Sequence, residues 1–489
     1  MIEFKKECNL LAPFIITGLL FITPIILSDI YYYDDYGRAL LGYTHWNSVD
    51  GRPLAEAVMV ILMQSSKMYD IFPLPLIIGL IILSISAKYF IKTIDSQASW
   101  CAIPIFLSIL SNPFILEPLS YRFDSLIFLL SLAVALAYCY EPKKIKYSFL
   151  WGFTCSIAVL FLYQTSFNVI LCMLAMRFLI KCNSGSDSHE IIKRISLSVI
   201  ELLLAILTFS LANKYIFKIE ANSYHPAVAS DNILNAIIDN ISEYSQFITT
   251  FHPLGKVAIL IILLISIVSS LKVASKATAK GNISKVIIYL FALTIPFLCL
   301  MASAGILLVL DKPLLSPRSM IGFSGFMVFS STALYLSLKR KLFTLIFLAP
   351  FISSLLTSFA YGNAYQEQYK IFDNITQNII ADTQNDSDNS LNFTFEGIAP
   401  SSEVYKNSAR KLPILSKLIP GEFYNGWWAV MYMRKAGWTQ NPSWYDSIKR
   451  PDAHELACQT FPIAKRKYYY LFKDGDFILI DFNKSTCSK

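Results

Sequence analysis

Residues 10–27 read LLAPFIITGLLFITPIIL and residues 28–53 read SDIYYYDDYGRALLGYTHWNSVDGRP. The first run is predominantly apolar and has the length, about 20 residues, that a helix needs to cross the hydrocarbon core of a bilayer. No small-residue cleavage site follows it, so the sequence predicts a retained first transmembrane helix and not a removed signal peptide. The second run leaves the membrane on one face. It carries two adjacent carboxylates, Asp34 and Asp35, beside Arg38, Trp46 and Arg52.

The rest of the chain agrees with that opening. Of 489 residues, 55% are hydrophobic and 16% charged, with a mean hydropathy of +0.49, against about 25% charged in an average soluble domain. The pattern predicts a polytopic α-helical membrane protein with about eleven spans. They fall near residues 10–27, 73–91, 100–116, 126–140, 147–163, 166–180, 195–215, 257–271, 286–310, 319–338 and 342–361. A net charge of +8 raises the question of nucleic acid, but the cations lie between apolar runs and form no stripe. No nucleic-acid partner is predicted. Topology accounts for the charge instead. Lys5, Lys6, Lys88, Lys92, Lys143, Lys144, Lys146, Arg177, Lys181, Lys193, Arg194, the 272–285 loop and Lys339, Arg340 and Lys341 all fall in alternate connections. The N-terminus is therefore predicted to be cytoplasmic, with residues 29–72, 216–256, 311–318 and the tail after Gly362 on the far side.

Two domains follow from this reading: a membrane module over 1–362, with its outer loop at 29–72, and a small outer α/β domain over 363–489. In the tail, two β-rich runs flank Asp474-Gly475, a hairpin-turn signal. Most cysteines fall in or near the membrane or at its cytoplasmic ends. Cys458 and Cys487 alone lie outside and are predicted to form a disulfide, the alternative being two free thiols.

Several outer residues carry possible chemistry. Pro53 opens a segment in which Leu54, Ala57, Val58, Ile61 and Leu62 recur at helical spacing, predicting an interfacial helix. The carboxylate pair is thus held over the bilayer surface. Asp34 and Arg38, one turn apart, also suit an ordinary ion pair. Adjacent helical residues point about 100° apart, so only one of the two aspartates is expected to act as a base. In a second outer connection, Arg122 and Asp124 sit at the edge of an apolar stretch, where ionisable groups are costly; they are candidates for substrate contact, or for a pair snorkelling to the interface. In a third, Arg318 opens a helix, either as a planar fork for phosphate oxygens or as an interfacial anchor. Trp427, Trp428 and Trp46 are candidates for stacking on acceptor sugars, with core packing the competing role. His225 and His252, each followed by proline, have no metal-ligand spacing. No phosphate-binding glycine loop or dinucleotide fingerprint is present. No cofactor is predicted, although two adjacent carboxylates leave a divalent metal open.

Three stretches, YYYDDYGRALLGYTHWNSVDGRPLAEAVM, EPLSYRFDSL and SPRSM, resemble the serotype-converting O-antigen glucosyltransferases of temperate enteric phages and their chromosomal relatives. The resemblance covers the membrane region and is densest between Asp34 and Leu54. It implies a GT-C-like fold with an acidic catalytic residue in the first outer loop, here Asp34 or Asp35. It also implies undecaprenyl-phosphate glucose as donor, lipopolysaccharide O-antigen as acceptor, and a bacterial inner-membrane location with the chemistry in the periplasm. A lipid-glucose synthase and a flippase would supply the donor in the same pathway. Charge and topology, and not the resemblance, nominate Arg38, Arg52, Arg122 and Arg318 as phosphate or sugar contacts. The competing readings are a lipid-linked sugar flippase, which calls for charges deep in the helices and a repeat, and a GT-C transferase for another sugar or for an acceptor such as lipid A.

Overall fold

The computed structural model describes residues 2–140, 142, 144–219, 228–229, 232–249, 255–278, 281–383, 392–421, 423, 427–438, 453–475 and 477–487. His225, His252, Tyr424, Trp444 and Tyr445 lie outside the described residues. Helix α1 (Ile2–Ser28) leads into two short helices of the polar stretch, α2 (Asp34–Leu41) and α3 (Pro53–Met63), before α4 (Leu74–Ile94) returns through the bundle. A broken segment, α5 (Ile103–Leu110) and α6 (Leu116–Ser120), reaches α7 (Ser125–Ala137). Then come α8 (Ile145–Leu162), α9 (Phe167–Asn183), α10 (Ser188–Leu211), α11 (Ile233–Ile248), α12 (Gly255–Ala274), α13 (Asn282–Met301), α14 (Gly322–Ser337) and α15 (Leu348–Thr383). The tail adds α16 (Glu403–Lys411), α17 (Leu415–Leu418), α18 (Trp427–Lys435) and α19 (Ala453–Gln459).

Among the described residues, 9 helices are long and apolar enough to cross a membrane. The chain is a multi-pass helical membrane protein. Two of the expected spans take another form. The one expected near 100–116 breaks at Asn112-Pro113 and bends by 57°. Proline cannot continue the helical ladder. Asn112 secures the break by accepting from Phe114 N at 3.0 Å and donating to Met320 O at 3.2 Å and Ser324 Oγ at 3.1 Å. The span expected near 126–140 is α7, 13 residues long, about 20 Å at 1.5 Å per residue and too short to cross. Protein instead of lipid surrounds it: most of its side chains are buried. These two departures fold the second outer connection back into the bundle.

The boundary expected at 362/363 falls inside α15. That helix runs for 36 residues, about 54 Å, from the bundle into the tail. Gly362 is where it presses on α1, since a Cβ there would lie 2.7 Å from Pro24 Cβ and O. Tyr361 and Ser120 share a 2.8 Å hydrogen bond beside it. The tail carries a four-stranded sheet ordered β1-β4-β3-β2, with β1 (Asn392–Glu396), β2 (Ala464–Lys465), β3 (Tyr470–Asp474) and β4 (Phe477–Asp481). β1 lies parallel to β4, while β3 and β4 form the antiparallel hairpin around Gly475, whose φ is +54°. Cys458 is bonded to Cys487, tying α19 to the segment after β4.

Three apolar clusters meet around the polar stretch, through Tyr32, Tyr36 and Trp46. The largest fills the membrane bundle. The tail core, built on Ile375, Ile379, Phe395, Phe423, Tyr432 and Leu471, also takes in Tyr36 of α2. A third cluster under α3 contains Trp46, Met59, Phe123 and Leu126. The polar stretch is therefore held by packing against all three clusters.

Candidate active site

Helix α2 begins with its two carboxylates in the first turn, where the helix dipole favours negative charge. The residue before them, Tyr33, has φ 41°, an uncommon conformation for a side-chain-bearing residue. Asp35 holds that turn. Its Oδ2 accepts from Tyr32 N at 3.1 Å and from Arg122 N at 2.9 Å, joining the first and second outer connections. Asp35 is 0% exposed and its Oδ1 has no hydrogen-bond partner. Burial above all, with the nearby Asp124 charge, pushes its carboxyl up to about 8, against the opposing pull of the Arg122 backbone N–H, Arg38 and the Tyr32 backbone N–H.

Asp34 faces the other way and is half-buried. Its Oδ1 accepts from the indole Nε1 of Trp428, in tail helix α18, at 2.7 Å. The two neighbours thus have opposite surroundings, as the 100° turn between them requires.

Arg38 does not pair with Asp34. It pairs with Asp124, stacks 4.3 Å over the Trp46 ring, and is itself buried. Trp46 Nε1 completes the group by donating to Asp124 Oδ1 at 2.6 Å. Nor does Arg122 pair with Asp124. Its guanidinium donates to Asp29 at 2.6 Å, to Asp70 at 2.7 Å and to Ile30 O at 3.3 Å, between the rings of Tyr31 and Phe72. With its side chain 5% exposed, Arg122 clamps the start of the polar stretch onto the bundle and has no donor edge turned outward. Arg38, Asp124 and Trp46 are paired with one another and Arg122 with Asp29 and Asp70, and all four are buried, so none of them presents an open face for the phosphate and acceptor contacts expected of them.

Arg318 is placed differently. Its Nη1 donates to Tyr121 OH at 3.1 Å, its Nε lies 3.6 Å from Glu117 Oε1, and its backbone N donates to Glu117 Oε2 at 2.7 Å. Yet 36% of its side chain remains exposed, and it is near enough to Asp34 for the two charges to act on each other. Arg52 approaches from the same side, stacked 4.7 Å over Tyr163, bonded to Gln164 and 3.9 Å from Asp50. Tyr163 feels both Arg318 and Arg52. The structure thus brings together Asp34, Arg318, Arg52, Tyr121 and Tyr163, from four separate connections.

Residues 23–329 match the family Glucosyl transferase GtrII. The chain belongs to this glucosyl transferase family. The matched range holds Asp34, Asp35, Arg38, Arg52, Glu117, Tyr121, Arg122, Asp124, Tyr163 and Arg318; Trp427 and Trp428 lie beyond it. A protein described as an uncharacterized 55.3 kDa protein in the gtrB 5' region of Salmonella phage P22 is 27% identical over 454 residues, covering 89% of this chain and 92% of its own. No solved structure matches. Among the described residues no group of three or more His, Cys, Asp or Glu is disposed to hold a metal ion.

Sequence reasoning did not single out Glu117, Tyr121, Tyr163 or Gln164. One signal was present: Glu117 and Tyr121 are four residues apart, next to Arg122. Asp70 and Asp29, the partners of Arg122, carry no such signal. Trp427, a candidate for sugar stacking, packs instead on Gly37, where a Cβ would lie 1.9 Å from its ring, and edge-on to Tyr43 at 5.9 Å.

Proposed function

We propose that this glucosyltransferase takes glucose from undecaprenyl-phosphate glucose and adds it, with inversion, to the O-antigen of lipopolysaccharide. The reaction takes place on the periplasmic face of the bacterial inner membrane, with the N-terminus in the cytoplasm and the tail in the periplasm. The observation that carries the reading is the contrast between a half-buried Asp34 beside a partly open Arg318 and a sealed Asp35 beside a sealed Arg122.

Asp34 is the base. It takes the proton of the acceptor hydroxyl as the oxygen attacks the anomeric carbon, from the face opposite the phosphate, and the configuration inverts. The carbon–oxygen bond to the phosphate breaks as the new glycosidic bond forms, and the lipid phosphate departs with the electron pair. Arg318 and Arg52 face the charge that builds on it, in an interface where attraction is stronger than in bulk water. Tyr121 and Tyr163 fix the orientation of those two cations. A lipid-glucose synthase and a flippase supply the donor.

The test is O-antigen composition and linkage analysis of a host strain with and without this chain, in the presence of the lipid-glucose pathway. A new glucose branch that depends on the chain and on the lipid donor is expected. Unchanged O-antigen alongside a new substituent on another glycolipid would redirect the acceptor assignment.

A further inference from the structure

Among the described residues, Trp428 is the tail side chain that meets Asp34. Trp428 lies in α18, and its Nε1–H donates to Asp34 Oδ1 at 2.7 Å while its ring meets Tyr33 edge-on at 5.4 Å. The neighbouring Trp427 covers Gly37 so closely that no side chain fits there. Tyr432, also of α18, packs on Tyr36 at 5.3 Å, and Tyr36 belongs to the tail core. These three contacts hold α18 along α2. Only one of those contacts is polar and reaches a carboxylate.

We infer that Trp428 is a positioning residue for the reaction, delivered by the tail domain: its indole N–H pins Oδ1 of Asp34 and leaves Oδ2 to meet the acceptor hydroxyl. This rests on the assignment of Asp34 as the base. A carboxylate at a helix start rotates about its Cα–Cβ and Cβ–Cγ bonds, and proton transfer needs one oxygen within about 3 Å of the hydroxyl in a fixed direction. An indole N–H is a donor only, so it cannot compete with Asp34 for the acceptor proton. The tail thereby takes part in the chemistry, although it lies outside residues 23–329, which the family matches.

The experiment compares Trp428→Phe with the wild type in a purified transfer assay using lipid-linked glucose and O-antigen, with melting temperature measured in parallel. Loss of a hydrogen bond to a charged group predicts a fall in kcat of about 10- to 100-fold. Both KM values should stay within about twofold, because the ring remains. If kcat is unchanged, or if only the acceptor KM rises, the inference is overturned, the second result marking a sugar-stacking surface. Should Trp428→Phe fail to fold, incorporation of benzothienylalanine at position 428 replaces the N–H by sulfur in a ring of the same shape, and the same kcat criterion applies. Asp34→Asn is run alongside. If Asp34→Asn is active, the base assignment fails whatever Trp428 does; if Asp34→Asn is inactive while the Trp428 replacements keep full kcat, only the positioning role fails.

Discussion

Helix α7 carries a cluster of buried charge at each end, and the two clusters differ in what they leave open. At its C-terminal end Arg177 donates to Glu201 at 2.7 Å, to Ser198 at 2.9 Å and twice to Tyr138 O, with its guanidinium 3.6 Å over the Tyr138 ring. Tyr138 OH also donates to Glu201 at 2.5 Å, and Gly152 leaves room for that carboxylate, since a Cβ there would lie 2.2 Å from it. At its N-terminal end Asp124 binds Arg38 and Trp46 in much the same way, but just beyond it stand a half-buried Asp34 and an Arg318 with a third of its side chain open. Burial and pairing alone do not mark a site. What separates the ends is charge held in place without being used up.

The largest expected effect breaks the comparison at its centre. Asp34→Asn should lower transfer by about 100- to 10,000-fold with an unchanged melting temperature, as loss of a general base does. Asp35→Asn keeps an oxygen for the Tyr32 and Arg122 N–H groups and should retain activity within about tenfold. Rates of both variants in the same membranes decide it; full activity in Asp34→Asn would remove the base assignment.

The closed cluster gives the next largest effect, and it is one of stability. Arg177→Ala leaves Glu201 buried without its cation and should cost about 3–5 kcal/mol. Replacing the pair together, Arg177→Met with Glu201→Leu, should recover most of that loss, because well-packed apolar residues substitute for a buried ion pair at little cost. Denaturation of the detergent-solubilised variants checks both. Failure of the double exchange to recover stability would mean that this end has a role beyond holding α7, α9 and α10 together.

How much of this was legible in the sequence follows from the distance over which each interaction acts. Nine of the spans, the helix that opens at Pro53 and the hairpin at Asp474-Gly475 are local patterns of apolarity and turn chemistry, and they were readable. The break at Asn112-Pro113 was present as punctuation, but the apolar residues on both sides hid it. Arg38 was read against Asp34, one turn away, whereas its partner Asp124 is 86 residues distant. The same holds for Trp428 and Asp34, 394 residues apart. Sequence patterns placed acidic and basic groups on one side of the chain's topology; only packing decided which of them were sealed. The choice between two adjacent aspartates depended on which face of α2 the bundle covers.

A smaller effect sharpens the contrast between arginines. Arg318→Ala should reduce kcat/KM for the lipid donor by about 10- to 100-fold with modest change in stability, since 36% of its side chain is exposed and the substitution removes the proposed phosphate contact. Arg122→Ala should instead lower the melting temperature, because Asp29 and Asp70 lose their shared partner and Asp35 loses the setting of its backbone contact. Donor titrations of the two variants, with melting curves, separate a substrate contact from a clamp. Equal effects on stability in both would place Arg318 with the structural set.

The smallest expected effect concerns Asp35 and its sign is fixed by burial. In the unfolded chain an aspartate titrates near 3.9; in the fold this one is pushed up to about 8. Between those values the native state keeps a proton that the unfolded chain has released, so raising the pH through this window lowers stability. The group opposes folding least below about pH 4 and most above about pH 8. Asp35→Asn carries no such proton. Its melting temperature should therefore depend less on pH than the wild type's between about 4 and 8, with the variant gaining relative to the wild type as pH rises through that window. Parallel slopes for the two proteins would mean that Asp35 is ionised in the fold, and that would bring it back as a second candidate for the base.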